Sequence, residues 1–215
     1  TSYSIKLQSH RFLLSSMRNS GVQQVAVLTQ FNSRTLLEHL SSSKWWDFGR
    51  KKSRLYVYTP MVSAEGEFWY KGTLDAVYQN KEFLENSHEP YVIIASGDGI
   101  YKLDYNQILD FHVEKEADLT LVVKTLPDHV DVRRYGNVKT DEDGRMIGFV
   151  EKPENPEGQK VFTGIYLIRR ELLLELLDSA EERGGYSLIS DLIMKYMESR
   201  KIYCYEMQGY WNNIG

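Results

Sequence analysis

The chain has 215 residues, 42% of them hydrophobic and 26% charged, a composition that supports a buried core and lies far from the disordered regime. A formal net charge of −4 offers no basic surface to a nucleic-acid backbone, so an anionic ligand would have to be met by backbone amides and a few placed cations. The single cysteine, Cys204, excludes an internal disulfide framework and a thiolate zinc cage.

Strand and helix signals alternate along the chain. Phe12 to Ser20 carries apolar residues at Phe12, Leu13, Leu14 and Met17 and stops at Gly21, which predicts a helix. Val22 to Thr29 reads as a buried strand, and Ser33 is placed to cap a helix from Arg34 to Leu40. Leu55 to Thr59 is β-rich and is closed by Pro60. A helix is expected from Asp75 to Glu85, with Thr73 as its N-cap. Tyr91 to Ala95 is a continuous apolar run of the kind found inside a parallel sheet. Asn106 to Lys115 reads as the next helix and Leu119 to Val123 as the next strand. This alternation predicts βαβ units in one layered α/β domain.

From Gly136 the pattern changes. Gly136 to Thr140, the polar turn Asp141-Glu142-Asp143-Gly144, and Met146 to Val150 predict an antiparallel hairpin. Val161 to Ile168 is a strand, Arg170 to Glu182 an amphipathic helix stopped by Gly184-Gly185, and Ser190 to Ser199 a further helix. Ile202 to Met207 forms a last strand, in which Cys204 is expected as a buried, inert thiol. No apolar run approaches the roughly 20 residues of a membrane span, and the start Thr1-Ser2-Tyr3-Ser4-Ile5-Lys6 has no signal-peptide core, so a cytoplasmic protein is the expectation.

Four segments could carry chemistry. Ser96-Gly97-Asp98-Gly99 ends the apolar run, where an open sheet places its ligands; the glycines admit a close approach, and Asp98 suits a hard cation such as Mg²⁺. A plain Asp-Gly turn explains the same residues. Trp69-Tyr70-Lys71-Gly72-Thr73 combines a stacking face with free amides at a helix start, or simply caps that helix. Glu151-Lys152-Pro153 ends a strand and leaves a lysine at a rim, as solvated charges also do. Gly209 to Gly215 gathers aromatics and amides and reads equally well as a turn. The five histidines have no ligand-like spacing, and neither a nucleophile elbow nor a Walker loop occurs.

Taken in order, these segments resemble the glucose-1-phosphate adenylyltransferases. The resemblance runs from about Arg11 to Gly215 and rests on Phe12 to Gly21 with Val27-Leu28-Thr29-Gln30-Phe31, Trp69 to Asn80, Ser96 to Tyr105, Glu151-Lys152-Pro153, Thr163-Gly164-Ile165-Tyr166 and Gly209-Tyr210-Trp211. It implies a Rossmann-like nucleotidyltransferase domain spanning residues 1–215, with a mixed, mostly parallel central sheet flanked by helices. The implied reaction joins ATP and glucose 1-phosphate into ADP-glucose and pyrophosphate, the supply step of glycogen synthesis in bacteria.

By the same resemblance, Asp98 would hold Mg²⁺ and Lys152 would grip the sugar phosphate. Tyr70, Gly72, Thr73, Gly97, Glu151 and Gly164 would line the nucleotide and sugar pocket. Active members carry an aspartate where this chain has Asn213, commonly a His where it has Gly99, and a small Ser-Met pair where it has Phe162-Thr163. The acidic residue usual near the glucose site is replaced around Ser187. The Gly- and Arg-rich phosphate loop and the C-terminal β-helix domain of that family are not found in the 215 residues. These departures resemble an auxiliary, regulatory type of subunit that forms a homo- or hetero-oligomer with an active one, with no nucleic acid or membrane partner. The expectation is therefore a weakened adenylyltransferase, or else a non-catalytic regulatory subunit.

Overall fold

The computed structural model describes residues 13–30, 54–60, 62–63, 66–67 and 69–214. The expected helix from Arg34 to Leu40 and its Ser33 cap lie outside the described residues. Helical residues 13–19 (α1) lead into β1 (Gln24–Leu28), which pairs in parallel with β2 (Arg54–Tyr58) from Gln24↔Arg54 to Leu28↔Tyr58. The short strands β3 (Val62–Ser63) and β4 (Gly66–Glu67) pair antiparallel.

The expected Asp75–Glu85 helix is two helices, α2 (Thr73–Gln79) and α3 (Lys81–Glu85). Asn80 separates them, because its side-chain amide turns back to the Ala76 carbonyl at 2.8 Å and to the Tyr70 hydroxyl at 3.0 Å. Such local bonding competes with helix continuation. Asp104, at the N-cap position, accepts from the Asn106 amide at 3.0 Å and starts α4 (Tyr105–Glu114).

The main sheet has six strands. In order they are β11 (Ile202–Glu206), β7 (Leu119–Thr125), β10 (Lys160–Arg169), β8 (Gly136–Thr140) and β9 (Met146–Glu151), with β5 (Tyr91–Ala95) also paired to β10. β10 runs antiparallel to both β5 and β7, and β11 runs parallel to β7, so β5, β7 and β11 share one direction with β10 reversed between them. The sheet is thus mixed, and the apolar run Tyr91–Ala95 has the reversed β10 as its partner. A separate antiparallel pair joins β6 (Gly99–Tyr101) to β12 (Trp211–Asn213).

Both faces of the sheet are covered, and the period-2 pattern of its strands decides which residues go where. On one face Leu119, Leu121, Val123, Tyr166 and Ile168 pack with Leu172, Leu173, Leu176 and Leu177 of α5 (Arg170–Glu181). On the other, Val122, Val161, Ile165 and Leu167 pack with Ile108 of α4 and with Leu13, Leu14 and Met17 of α1. The expected Ser190–Ser199 helix is instead a π-helical segment, Ile189–Met194, in which the Ile193 amide donates to the Leu188 carbonyl at 3.1 Å. Cys204 is buried as expected, and burial pushes its thiol up to about 12. Among the described residues no helix is long and apolar enough to cross a membrane.

His112 on α4 is buried, with Nδ1 2.8 Å from the Thr120 hydroxyl and the ring edge-on to Tyr91. Burial foremost, then the Arg169 charge, lower its pKa to about 4, against a smaller opposing pull from Asp118. A group depressed on folding contributes stability that is complete above its unfolded pKa, near 6.5, and lost as pH falls toward 4. Chemical denaturation at pH 7, 5.5 and 4 should therefore show roughly 2–3 kcal/mol of loss assignable to this residue. His112→Asn should flatten that dependence; an unchanged slope in the variant would contradict the assignment.

Candidate functional site

β10 carries the local irregularity on which the site is built. Its register against β7 jumps between Phe162 and Ile165, leaving Thr163 and Gly164 in a bulge. Gly164 sits at φ 82, a left-handed conformation that side chains rarely adopt. Thr163 turns its hydroxyl inward to the Val122 carbonyl at 2.7 Å, and the Gly164 carbonyl accepts from the Ser96 amide at 2.9 Å. That bond ends β5 and starts the turn Ser96-Gly97-Asp98. The turn is closed from the other side by the Ile214 amide, which donates to the Asp98 carbonyl at 3.0 Å.

Asn213 pairs with Gly99 in the β6–β12 ladder, which sets it beside the turn residue Asp98 that immediately precedes β6. Trp211 in the same strand meets Tyr135 edge-on at 5.3 Å between centroids. The Tyr135 carbonyl in turn accepts from the Lys152 amide at 3.1 Å. Lys152 is held at φ 47, an uncommon backbone state for a residue with a side chain. Sequence positions 98, 135, 152, 164 and 213 are thereby tied by backbone bonds and ring contacts into one wall.

That wall faces a cavity of about 1380 Å³. Thr73, Gly97, Asp98, Glu151, Lys152, Thr163, Gly164 and Asn213 all line it. Asp98 is half-buried, whereas Lys152 is exposed at the rim. Glu151 is exposed overall, but one carboxyl oxygen lies over Gly136, where a Cβ would stand 2.9 Å from it and 2.4 Å from the Phe149 ring. Partial burial raises the Glu151 carboxyl above its usual value, with Lys152 opposing the shift.

Tyr70 and Gly72 are not among the residues that line this cavity. Tyr70 is buried; its hydroxyl accepts from Asn80, which does line the cavity. Burial pushes the Tyr70 phenol up, with the Asn80 bond opposing. Gly72, not Thr73, occupies the helix N-cap position, and a Cβ there would fall 2.3 Å from the Tyr186 carbonyl oxygen. The Thr73 hydroxyl accepts instead from the Leu188 amide at 3.2 Å. Gly72 and Thr73 thus dock α2 onto the loop 186–188. Asp191, in the π-helical segment, accepts from the Tyr186 and Ser187 amides of that loop at 3.0 and 2.9 Å.

Sequence reading passed over Arg134, Tyr135 and Asn80. All three line the cavity. The run Arg133-Arg134-Tyr135 stands just before β8, and its signal was a paired cation and aromatic at a strand entry, a pattern too common to single out.

The cavity runs along the whole of β1 and β5, and at one part of its lining stand a Gly-rich turn with one carboxylate and a rim lysine. The chain matches the model of the nucleotidyl transferase family over residues 8–215 and belongs to that family. It is 38% identical over 210 residues to the glucose-1-phosphate adenylyltransferase of Clostridium acetobutylicum, covering 95% of this chain and 54% of that protein. The enzyme of the same name from Clostridium perfringens strain 13 is 38% identical over 207 residues, covering 95% and 52%. That of Thermotoga sp. strain RQ2 is 36% identical over 208 residues, covering 95% and 49%. The chain spans about half the length of the curated relatives it matches.

The close approaches give a direct test of the wall. Gly164→Ala would combine a left-handed backbone with a Cβ 2.9 Å from that of Ser96. It should cost roughly 1–3 kcal/mol, read as a fall of several degrees in the unfolding midpoint. Gly148→Ala, whose nearest neighbour would be Lys139 Cβ at 3.4 Å, should stay within about 0.5 kcal/mol of the parent. Equal midpoints for the two variants would show that the bulge does not constrain the Ser96 turn.

Proposed function

We infer that this chain handles the nucleotide and sugar phosphate in a glucose-1-phosphate adenylyltransferase-type protein of glycogen biosynthesis, with weakened turnover. The observation that carries the reading is convergence: Asp98, Lys152, Gly164 and Asn213 arrive from separate parts of the sequence and line one cavity. The relatives' shared name supplies glucose 1-phosphate and the adenylyl group, and ATP is the donor that the sequence resemblance implies. In this reading the sugar phosphate attacks the α-phosphorus of ATP and pyrophosphate leaves. The protein then contributes alignment and charge neutralisation more than covalent chemistry.

Lys152 supplies a point charge for the phosphate of glucose 1-phosphate, at a rim position set by its backbone bond to Tyr135. The half-buried Asp98 carboxylate and the Asn213 amide oxygen form a small all-oxygen donor set. This fits Mg²⁺, which commonly keeps several waters and takes one or two carboxylates plus substrate phosphates. Among the described residues no group of three acidic, histidine or cysteine side chains offers a fuller cage. When bound, Mg²⁺ would neutralise charge developing on the reacting phosphates. Gly97 and Thr73 line the same cavity, and Gly164 holds the Ser96 turn through its carbonyl.

A second reading is favoured by one observation, the neutral amide of Asn213 beside Asp98. A site with a single carboxylate holds metal less firmly than one with two, which suits a regulatory subunit that assembles with an active adenylyltransferase and modulates it. The two readings separate in one experiment. Incubating stoichiometric protein with ATP, Mg²⁺ and labelled glucose 1-phosphate should yield slow ADP-glucose formation. Lys152→Gln should weaken glucose 1-phosphate binding about tenfold or more. Asn213→Asp should tighten Mg²⁺ binding. No product, together with a changed rate when an active homologue is added, favours the regulatory subunit. No product and no effect on mixing overturns both.

A further inference from the structure

Arg134 belongs to none of the segments that carry the sequence resemblance, yet it stands at the cavity with Asp98, Lys152 and Asn213. Its guanidinium is fixed by two neighbours. The group lies over the Tyr135 ring with Cζ 4.8 Å from the centroid, and one terminal nitrogen donates to the Tyr135 hydroxyl. The same nitrogen reaches the Asn213 carbonyl at 3.5 Å. Tyr135 is buried and packed edge-on against Trp211, so the surface under the guanidinium cannot swing away. An arginine side chain held in this way loses little further freedom on meeting an oxyanion.

The other cation of the cavity hangs from the same residue. Lys152 donates its backbone N–H to the Tyr135 carbonyl at 3.1 Å and is kept in a left-handed conformation. One cation therefore precedes Tyr135 in the chain, and the other is clamped to it across a single backbone bond. Next to them Asn213 meets Arg134 through its backbone carbonyl, and its side chain is a neutral amide that adds no negative charge. Glu151 also lines the cavity and opposes anion binding. One of its oxygens sits over Gly136, on the side where the Phe149 ring also lies.

We propose that Arg134 is a second phosphate-holding residue, forming with Lys152 a two-cation clamp for a polyphosphate chain beside Asn213. This rests on the nucleotidyl-transfer reading of the cavity and extends it: Lys152 takes the sugar phosphate, and Arg134 takes the phosphates that leave as pyrophosphate. Planar guanidinium groups bind such oxygens through paired N–H donors, which an ammonium cannot do. A role confined to stapling β12 onto Tyr135 would give Arg134 a part in stability but none in anion affinity.

Titration calorimetry with inorganic pyrophosphate, in EDTA, separates these roles. The parent should bind, and Arg134→Gln should weaken that binding about tenfold or more while lowering its salt dependence. Arg134→Lys should recover part of the affinity, and the unfolding midpoint of both variants should stay near the parent's because the side chain is exposed. Tyr135→Phe, which keeps the ring and removes the hydroxyl, should cost a few fold. Pyrophosphate affinity unchanged in Arg134→Gln, alongside Lys152-dependent binding of glucose 1-phosphate, overturns the clamp alone. A parent that binds neither ligand overturns the clamp and the nucleotidyl-transfer reading together.

Discussion

The hydrogen bond from the Ser96 amide to the Gly164 carbonyl is the constraint around which the cavity wall is organised. It exists because β10 carries a bulge at residues 163–164 between two stretches of regular pairing. Up to Phe162 the strand pairs with β7 and, through Val161, with β8; from Ile165 onward it pairs with β7 and β5. A strand that changes partner on one edge needs a break in register there, and glycine supplies the left-handed residue that makes the break inexpensive. The end of β5 is then fixed, and with it the turn that carries Asp98. A regular β10 would leave that turn without its anchor.

The same bulge couples the core to the site. Phe162 precedes it and packs edge-on against Phe149 and Tyr166, at 6.1 and 4.8 Å between centroids, on the face covered by α5. Ile165 follows it and packs on the opposite face with α1 and α4. The alternation of side chains is thus preserved on both sides of the irregularity, so the wall gains its distortion without leaving apolar groups on the wrong face. Thr163 meets its own polar requirement inward at the Val122 carbonyl and adds no unpaired hydroxyl to the cavity.

Much of this was legible in the sequence, for identifiable reasons. The apolar runs at Tyr91–Ala95 and Leu119–Val123 and the hairpin around Asp141–Gly144 fell where expected, because their periodicity and turn chemistry are strong and local. Asp98 and Lys152 were marked by a strand end followed by Gly or Pro. What could not be read was long-range. Nothing local distinguishes Asn80 as the residue that splits a helix by bonding to Tyr70, or Tyr70 as a core residue rather than a stacking face. The π-helical turn at Ile189–Met194 has no local sequence signal, and neither do the bonds from the amides of residues 186 and 187 to Asp191 at its start. Arg134 was hidden for the same reason: its significance lies in its distance from Asn213, 79 positions away in the chain.

The separation of the two sheets has a mechanical consequence. Among the described residues β1 and β2 bond to each other and not to β5, while Val25 and Val27 reach the rest of the core only through apolar contacts. Cavity-lining residues of β1 and of β5 therefore face one space without a shared ladder to fix its width. Backbone ladders resist sliding through directional bonds, whereas side-chain packing tolerates small shear displacements at little cost. Among the described residues the ties across the cavity between β1 and β5 are therefore side-chain packing alone, whereas the Asp98–Lys152 wall is held by backbone bonds as well.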